Sequence, residues 1–254
     1  KGNGKGKKIT STTEGAHSAT LATDRGEGTS TAGAAKLTTS GEGSPIIYST
    51  GNIRADYITG EAKNSEIGVV EGKNSITLTN SNVTGYKDNG FMLYQSFSGD
   101  AESGIARLKA ENNSLTTHAT GAFIYVNNTT AEVDLTGNAI STPNTTTLVK
   151  AAADSSWGKI GENGGNLQLR AANQAISGNI LADSISTIAL DMTTGSSLVG
   201  AVNTDNIAKE ITIKLSKDST WTLTGDSYVK SLTNEDTTNS NIHLNGYKLV
   251  VADK

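Results

Sequence analysis

Two tyrosines and a glutamate are the residues of this chain whose types and spacing could do chemistry together. Tyr48, Glu71 and Tyr94 each directly follow an apolar residue, Ile47, Val70 and Leu93. If those apolar residues are equivalent anchors, strand alternation aims all three side chains outward from one wall. Lys150 extends the same column. Two tyrosines flanking a carboxylate can stack on sugar rings and hydrogen-bond their hydroxyls, since the rings are apolar and the tips polar. The same pattern also describes an ordinary ladder of exposed side chains, and the sequence leaves both readings open.

The other candidates are weaker. Asp24, Arg25 and Glu27 in "TDRGEG" could recognise a polar ligand through charge-assisted bonds or simply pair within a turn. Asp100 and Glu102 in "GDAES" could share one side of a loop and hold Ca²⁺, but no EF-hand spacing or Asp-rich repeat surrounds them. The remaining acids, including Asp56, Glu61, Glu66, Asp88 and Glu111, are scattered rather than paired. His17, His118 and His243 lack metal-ligand spacing and read as surface residues, and there is no G-x-S-x-G elbow. The expectation is therefore a protein that is not an enzyme and needs no cofactor. Trp157, in the loop-like "DSSWGKIGENGG" (154–165), reads either as cover for an apolar edge or as a sugar-stacking tip.

What would position such residues? Of 254 residues, 35% are hydrophobic and 5% aromatic, with 28 Gly and only 2 Pro. The net charge of −4 is too small for a charge-driven disordered chain, and Thr, Val and Ile with Gly and Asn call for short strands and tight turns. There is no Cys, hence no disulfide or thiolate site, and no basic patch of the kind nucleic acid needs. No apolar run approaches the roughly 18 residues of a membrane span. "KGNGKGKK" reads as a flexible solvated arm (1–10).

The rest, 11–254, repeats one grammar: a strand run, a Gly/Asn turn, a second run. The segments 44–60, 67–85, 89–117, 121–142 and 146–178 carry anchors Ile47, Val70, Leu93, Ile124 and Leu148, spaced in the range of solenoid repeats. In "SITLTN", Ile76 and Leu78 face one way and Ser75, Thr77 and Thr79 the other, so a lone hairpin would leave its apolar face wet. Stacked coils solve this. The prediction is an all-β, right-handed parallel β-helix with a modified C-terminal end, about ten coils and on the order of 50 Å long at ~4.8 Å per coil. Segment 165–254 reads as plainer closing coils, with Trp221 and "NGYKLVV" as the cap. The N-terminal end shows no such cap, which predicts a piece of a longer solenoid.

"STWTLTGDSYVKSLT" (219–233) and "HLNGYKLVV" (243–251) resemble the closing coils of pertactin-like autotransporter passenger domains. "TDRGEG", "TTSGEGSPIIYSTGNI", "VVEGKNSITLTNSNVTG" and "GFMLYQSFSGDA" resemble adhesin-like β-helix proteins of gut and anaerobic microbes. The resemblance implies an extracellular or cell-surface rod that binds glycans or a surface receptor, without membrane insertion by this chain. The competing expectations are a polysaccharide-active enzyme or its binding module, since many parallel β-helix proteins cleave polysaccharides, and an inert spacer.

Overall fold

The computed structural model describes residues 9–23, 28–97, 99 and 101–252. Asp24, Arg25 and Glu27, Asp100, and most of the expected arm lie outside them. The first strand, Ile9–Thr13, starts inside the segment expected as an arm.

The described residues form no helix; they wind into a parallel solenoid of about 10 turns. Almost every turn lays one strand on each of three faces; the turn through Ser197–Val199 has only the bridge Ile180–Val202 on the second. The first face begins Ile9–Thr13, Ala35–Thr39, Thr59–Ala62, Asn82–Gly85. The second runs Leu21–Ala22, Ile47–Ser49, Gly68–Glu71, Phe91–Tyr94, Ile124–Asn127, Thr147–Ala151, Asn179–Ala182. The third is the longest and includes Ser75–Thr79, Ile105–Glu111, Thr129–Thr136 and Gly165–Ala172. All pairs are parallel, so within each sheet the edges of the inner strands are covered by the neighbouring turns.

Alternation does what the sequence predicts. Ile76, Leu78 and Val83 are fully buried, as are Val70 and Leu93. On the second face two inner columns run along the rod. One is Ile47, Gly68, Phe91, Ile124, Val149 and Ile180; the other is Ser49, Val70, Leu93, Val126, Ala151 and Ala182. Gly68 is required where the ring of Phe91 lies over it: an added Cβ would come within 3.2 Å of that ring and 3.1 Å of Ile76 Cδ1.

The anchor alignment is thus corrected. Ile47 pairs with Gly68, not Val70, and Ile124 pairs with Phe91, not Leu93, while Leu148 sits at an irregularity beside Val149. A slip of two residues preserves which side a strand buries, so the hydrophobic pattern does not detect it.

The corner from the third face to the first uses the left-handed region turn after turn. Ala34, Tyr57, Asn80, Asn112, Gly137, Asn173 and Thr194 all have positive φ there. Just inside that corner runs a buried polar ladder. Asn113 Oδ1 accepts from the backbone N–H of Ser81 at 2.9 Å, Asn138 Oδ1 from that of Asn113 at 3.1 Å, and Gln174 Oε1 from that of Asn138 at 2.8 Å. Ser196 and Ser219 continue it. These bonds satisfy N–H groups that the corner removes from the strand ladders.

Trp221 is not an end cap. It is fully buried beneath the last turn, paired between Leu198 and Ile242, and its Nε1–H donates to Gly200 O at 3.0 Å. The closing strand Leu249–Val251 pairs with Ser227–Val229.

Candidate functional site

The outward residues of the second face form a column in true register: Tyr48, Val69, Met92, Tyr125, Lys150, Leu181. Glu71 and Tyr94 pair with each other one strand position pair further along, on the same side. Three basins lie end to end over this column. The first, about 430 Å³, is lined by Tyr48, Val69, Met92, Tyr94, Trp157 and Glu66, among others. The second, about 350 Å³, lies over Tyr125, Lys150 and Leu181; the third, about 190 Å³, shares Lys150 and Leu181 with it. Met92 of the first basin is the register neighbour of Tyr125 of the second. The three basins follow one another along the rod axis, and we term this row of basins the trough. From Tyr48 to Leu181 is five strand spacings, roughly 24 Å.

The structure brings Tyr48, Glu71 and Tyr94 together, but not as an exposed wall. Glu71 is only 2% exposed and Tyr94 only 7%. The Tyr48 hydroxyl donates to Glu71 Oε2, and Ser96 Oγ donates to Glu71 Oε1. The Tyr94 hydroxyl lies 3.0 Å from that of Tyr48 and donates to Glu71 Oε2 at 3.4 Å. What covers the carboxylate is chain thrown off the coils, whose placement alternation alone does not encode. Residues 95–97 carry Ser96, and Asn128 Nδ2 ties them down by donating to Gln95 O at 2.8 Å. Segment 153–164 carries Trp157, whose ring packs 5.1 Å from that of Tyr94. Buried Asn163 pins this second loop by donating to the carbonyls of Asp154 and Trp157, each at 2.7 Å. Trp157 therefore both covers an edge and forms part of the trough wall, beside the exposed ring of Phe97.

Burial, the neighbouring Tyr94 oxygen and the bond to Glu71 push the Tyr48 phenol far up. Burial, helped by the Glu71 charge, pushes Tyr94 up to about 12. Both phenols stay protonated at neutral pH and act as hydrogen-bond donors to Glu71 rather than as bases. Glu66, at the edge of the first basin, is 7% exposed; burial raises its pKa although the Ser65 hydroxyl donates to it at 2.7 Å. The Tyr125 phenol donates to Asp154 Oδ2 at 2.9 Å, and burial and that carboxylate raise its pKa. The Lys150 ammonium sits 5.7 Å from the centre of the Tyr125 ring.

Other candidates disperse. Lys73, at the corner after Glu71, pairs with Glu102. His118 stacks on Tyr86, centroids 4.8 Å apart, on a different part of the surface, and His17 lines the first basin. Among the described residues, no three His, Asp or Glu side chains group as a metal site. Sequence reasoning missed Val69, Met92 and Tyr125. Their signal was present: each outward column residue follows the first inner residue of its strand, as in Ile47-Tyr48, Phe91-Met92, Ile124-Tyr125 and Val149-Lys150.

No family model, curated protein or solved structure matches this chain.

Proposed function

We propose that this protein binds a linear glycan lying in the trough of the second face, and that it does so at a cell surface or outside the cell as an adhesin-like rod. The observation that carries the reading is the shape and lining of the trough. It runs along the rod, its floor and wall offer Tyr48, Trp157 and Tyr125, with buried Tyr94 packed behind Trp157, and polar groups rim it. Aromatic faces with a few placed hydrogen-bonding groups are what pyranose rings require: apolar C–H faces stack and hydroxyls bond at the edges. The groups are pre-positioned by the Glu71 network and by rigid strands, so little ordering is needed on binding. The surface setting is supported by the resemblance of "STWTLTGDSYVKSLT" and the other quoted stretches to surface β-helix proteins. Repeated weak contacts between many such rods and a polymeric glycan would add through multivalency.

A glycan-array screen with Trp157→Ala and Tyr125→Ala tests this. Linear glycans should bind the wild-type chain, and each substitution should weaken the signal about tenfold, as loss of a stacking platform worth 1–3 kcal/mol would. Binding that neither change weakens would remove the trough from the account.

Glu66 favours a second reading, a polysaccharide-cleaving enzyme, because a carboxyl with a raised pKa at a groove is the usual form of a general acid. Glycoside hydrolysis also needs a second carboxylate across the sugar. Glu71 lies behind the tyrosines instead of lining the basin. Release of reducing ends from array-positive glycans, lost in Glu66→Gln, would establish this reading over simple binding.

A further inference from the structure

The three basins differ in charge, and this bears on what kind of glycan fits. The inference rests on the trough being the binding surface. The first basin has a carboxyl, Glu66, on its lining and the Glu71 carboxylate behind its tyrosines, and no Lys or Arg among its described lining residues. The third is lined by Asp183 and Asp205. Both Asp183 oxygens accept backbone N–H groups, of Ala153 at 2.7 Å and Ile185 at 3.1 Å, which fixes that carboxylate in place. The middle basin is different. Its lining is Asn89, Thr120, Thr147, Tyr125, Lys150 and small or apolar residues, with no carboxylate. Lys150 is the only Lys or Arg among the described residues that line any of the three.

Lys150 is also poised to meet a ligand. It projects from the floor of the trough, exposed, with its ammonium near the Tyr125 ring. No carboxylate among the described residues lies within ion-pair distance of it. The cations on the neighbouring third face, by contrast, include Arg107 and Arg170, which are paired with Glu132 and Asp134. Along the trough the charged side chains therefore run from Glu66 through Lys150, shared by the second and third basins, to Asp183 and Asp205 in the third. Lys150 lies four strand spacings, about 19 Å, from Tyr48.

We infer that the trough selects a linear glycan carrying an isolated acidic sugar among neutral ones, with neutral units on the aromatic basin and a uronate carboxylate on Lys150. A uniformly acidic polymer would place like charges against Glu66, Asp183 and Asp205. A uniformly neutral one would leave Lys150 without a partner. An exposed ammonium meeting one carboxylate contributes modestly, so the preference should be about three- to fivefold and should shrink with added salt.

The test uses matched linear six-unit oligosaccharides on glucose, xylose and N-acetylhexosamine backbones, each neutral, with one internal uronate, or fully uronate. Titration calorimetry compares the wild-type chain, Lys150→Met and Lys150→Arg. For the backbone that binds, the singly acidic form should bind wild type best, ahead of both other forms. The acid-to-neutral ratio should fall to about one in Lys150→Met and be retained in Lys150→Arg. A ratio unchanged in Lys150→Met, or tightest binding by the fully uronate form, overturns the inference. If neutral and singly acidic forms bind wild type equally and Trp157→Ala weakens both, this inference fails while the trough stands. If no oligosaccharide binds, both fail. Equal competition by an oligoglutamate peptide would make the occupant a polypeptide and overturn the glycan assignment.

Discussion

At the scale of single residues, Glu71 lies behind the proposed binding surface and Glu66 lies at its edge. Glu71 holds two tyrosine hydroxyls and a serine hydroxyl in a nearly dry place. Removing it takes the carboxylate acceptor from those hydroxyls, so Glu71→Ala should lower stability by about 1.5–3 kcal/mol, the range for hydrogen bonds to a charged group; urea unfolding measures this, and a loss below about 0.5 kcal/mol would contradict the network. Glu66 has the opposite character. Its pKa is raised by burial, so the folded protein holds that proton more tightly than the unfolded chain. Its contribution is therefore fully present at low pH and is lost as pH rises from the ordinary glutamate range through the raised value. Melting temperature followed across that interval should fall less steeply in Glu66→Gln than in wild type; identical slopes would refute the assignment. Sequence alone put Tyr48, Glu71 and Tyr94 on the same side of the second face, yet in one register and in the open, whereas Tyr48 is level with Val69 and Met92 and the three meet under cover. Side-chain direction is local and readable, whereas the cover supplied by Ser96 and Trp157 comes from loops whose landing place the strand pattern does not encode.

At the scale of elements, the polar ladder and the corners govern how the coils stack. Asn113 both accepts from Ser81 N–H and donates through Nδ2 to Leu78 O at 2.9 Å. Asn113→Leu would strand both buried backbone groups and should cost about 2 kcal/mol, read as a lower denaturant midpoint with unchanged slope. Tyr57 occupies the same kind of corner as Asn80 and Asn112, with φ +52 and a side chain 65% exposed. A bulky residue there is strained without evident packing in return, so Tyr57→Asn should raise stability by about 1 kcal/mol; a lower melting temperature would show that the ring makes contacts that matter. The strands themselves were legible, since alternation in "SITLTN" fixes inside and outside. Their register was not, because Ile47 and Ser49 face the same way and only the ring of Phe91 over Gly68 decides which is opposite which.

At the scale of the whole molecule, the solenoid converts a per-turn pattern into a long surface. Each turn contributes one outward residue to the second-face column, and the parallel register stacks these residues at strand spacing. A ligand matched to that surface must itself be long and linear, which is the central claim. The direct measurement is affinity against chain length, using the glycan backbone that binds, in oligomers of two to ten units. The account predicts that affinity rises with each added unit until the oligomer spans the trough, roughly 24 Å, and then levels off. Affinity independent of length from the disaccharide upward would mean a compact site, and would contradict the trough as the binding surface.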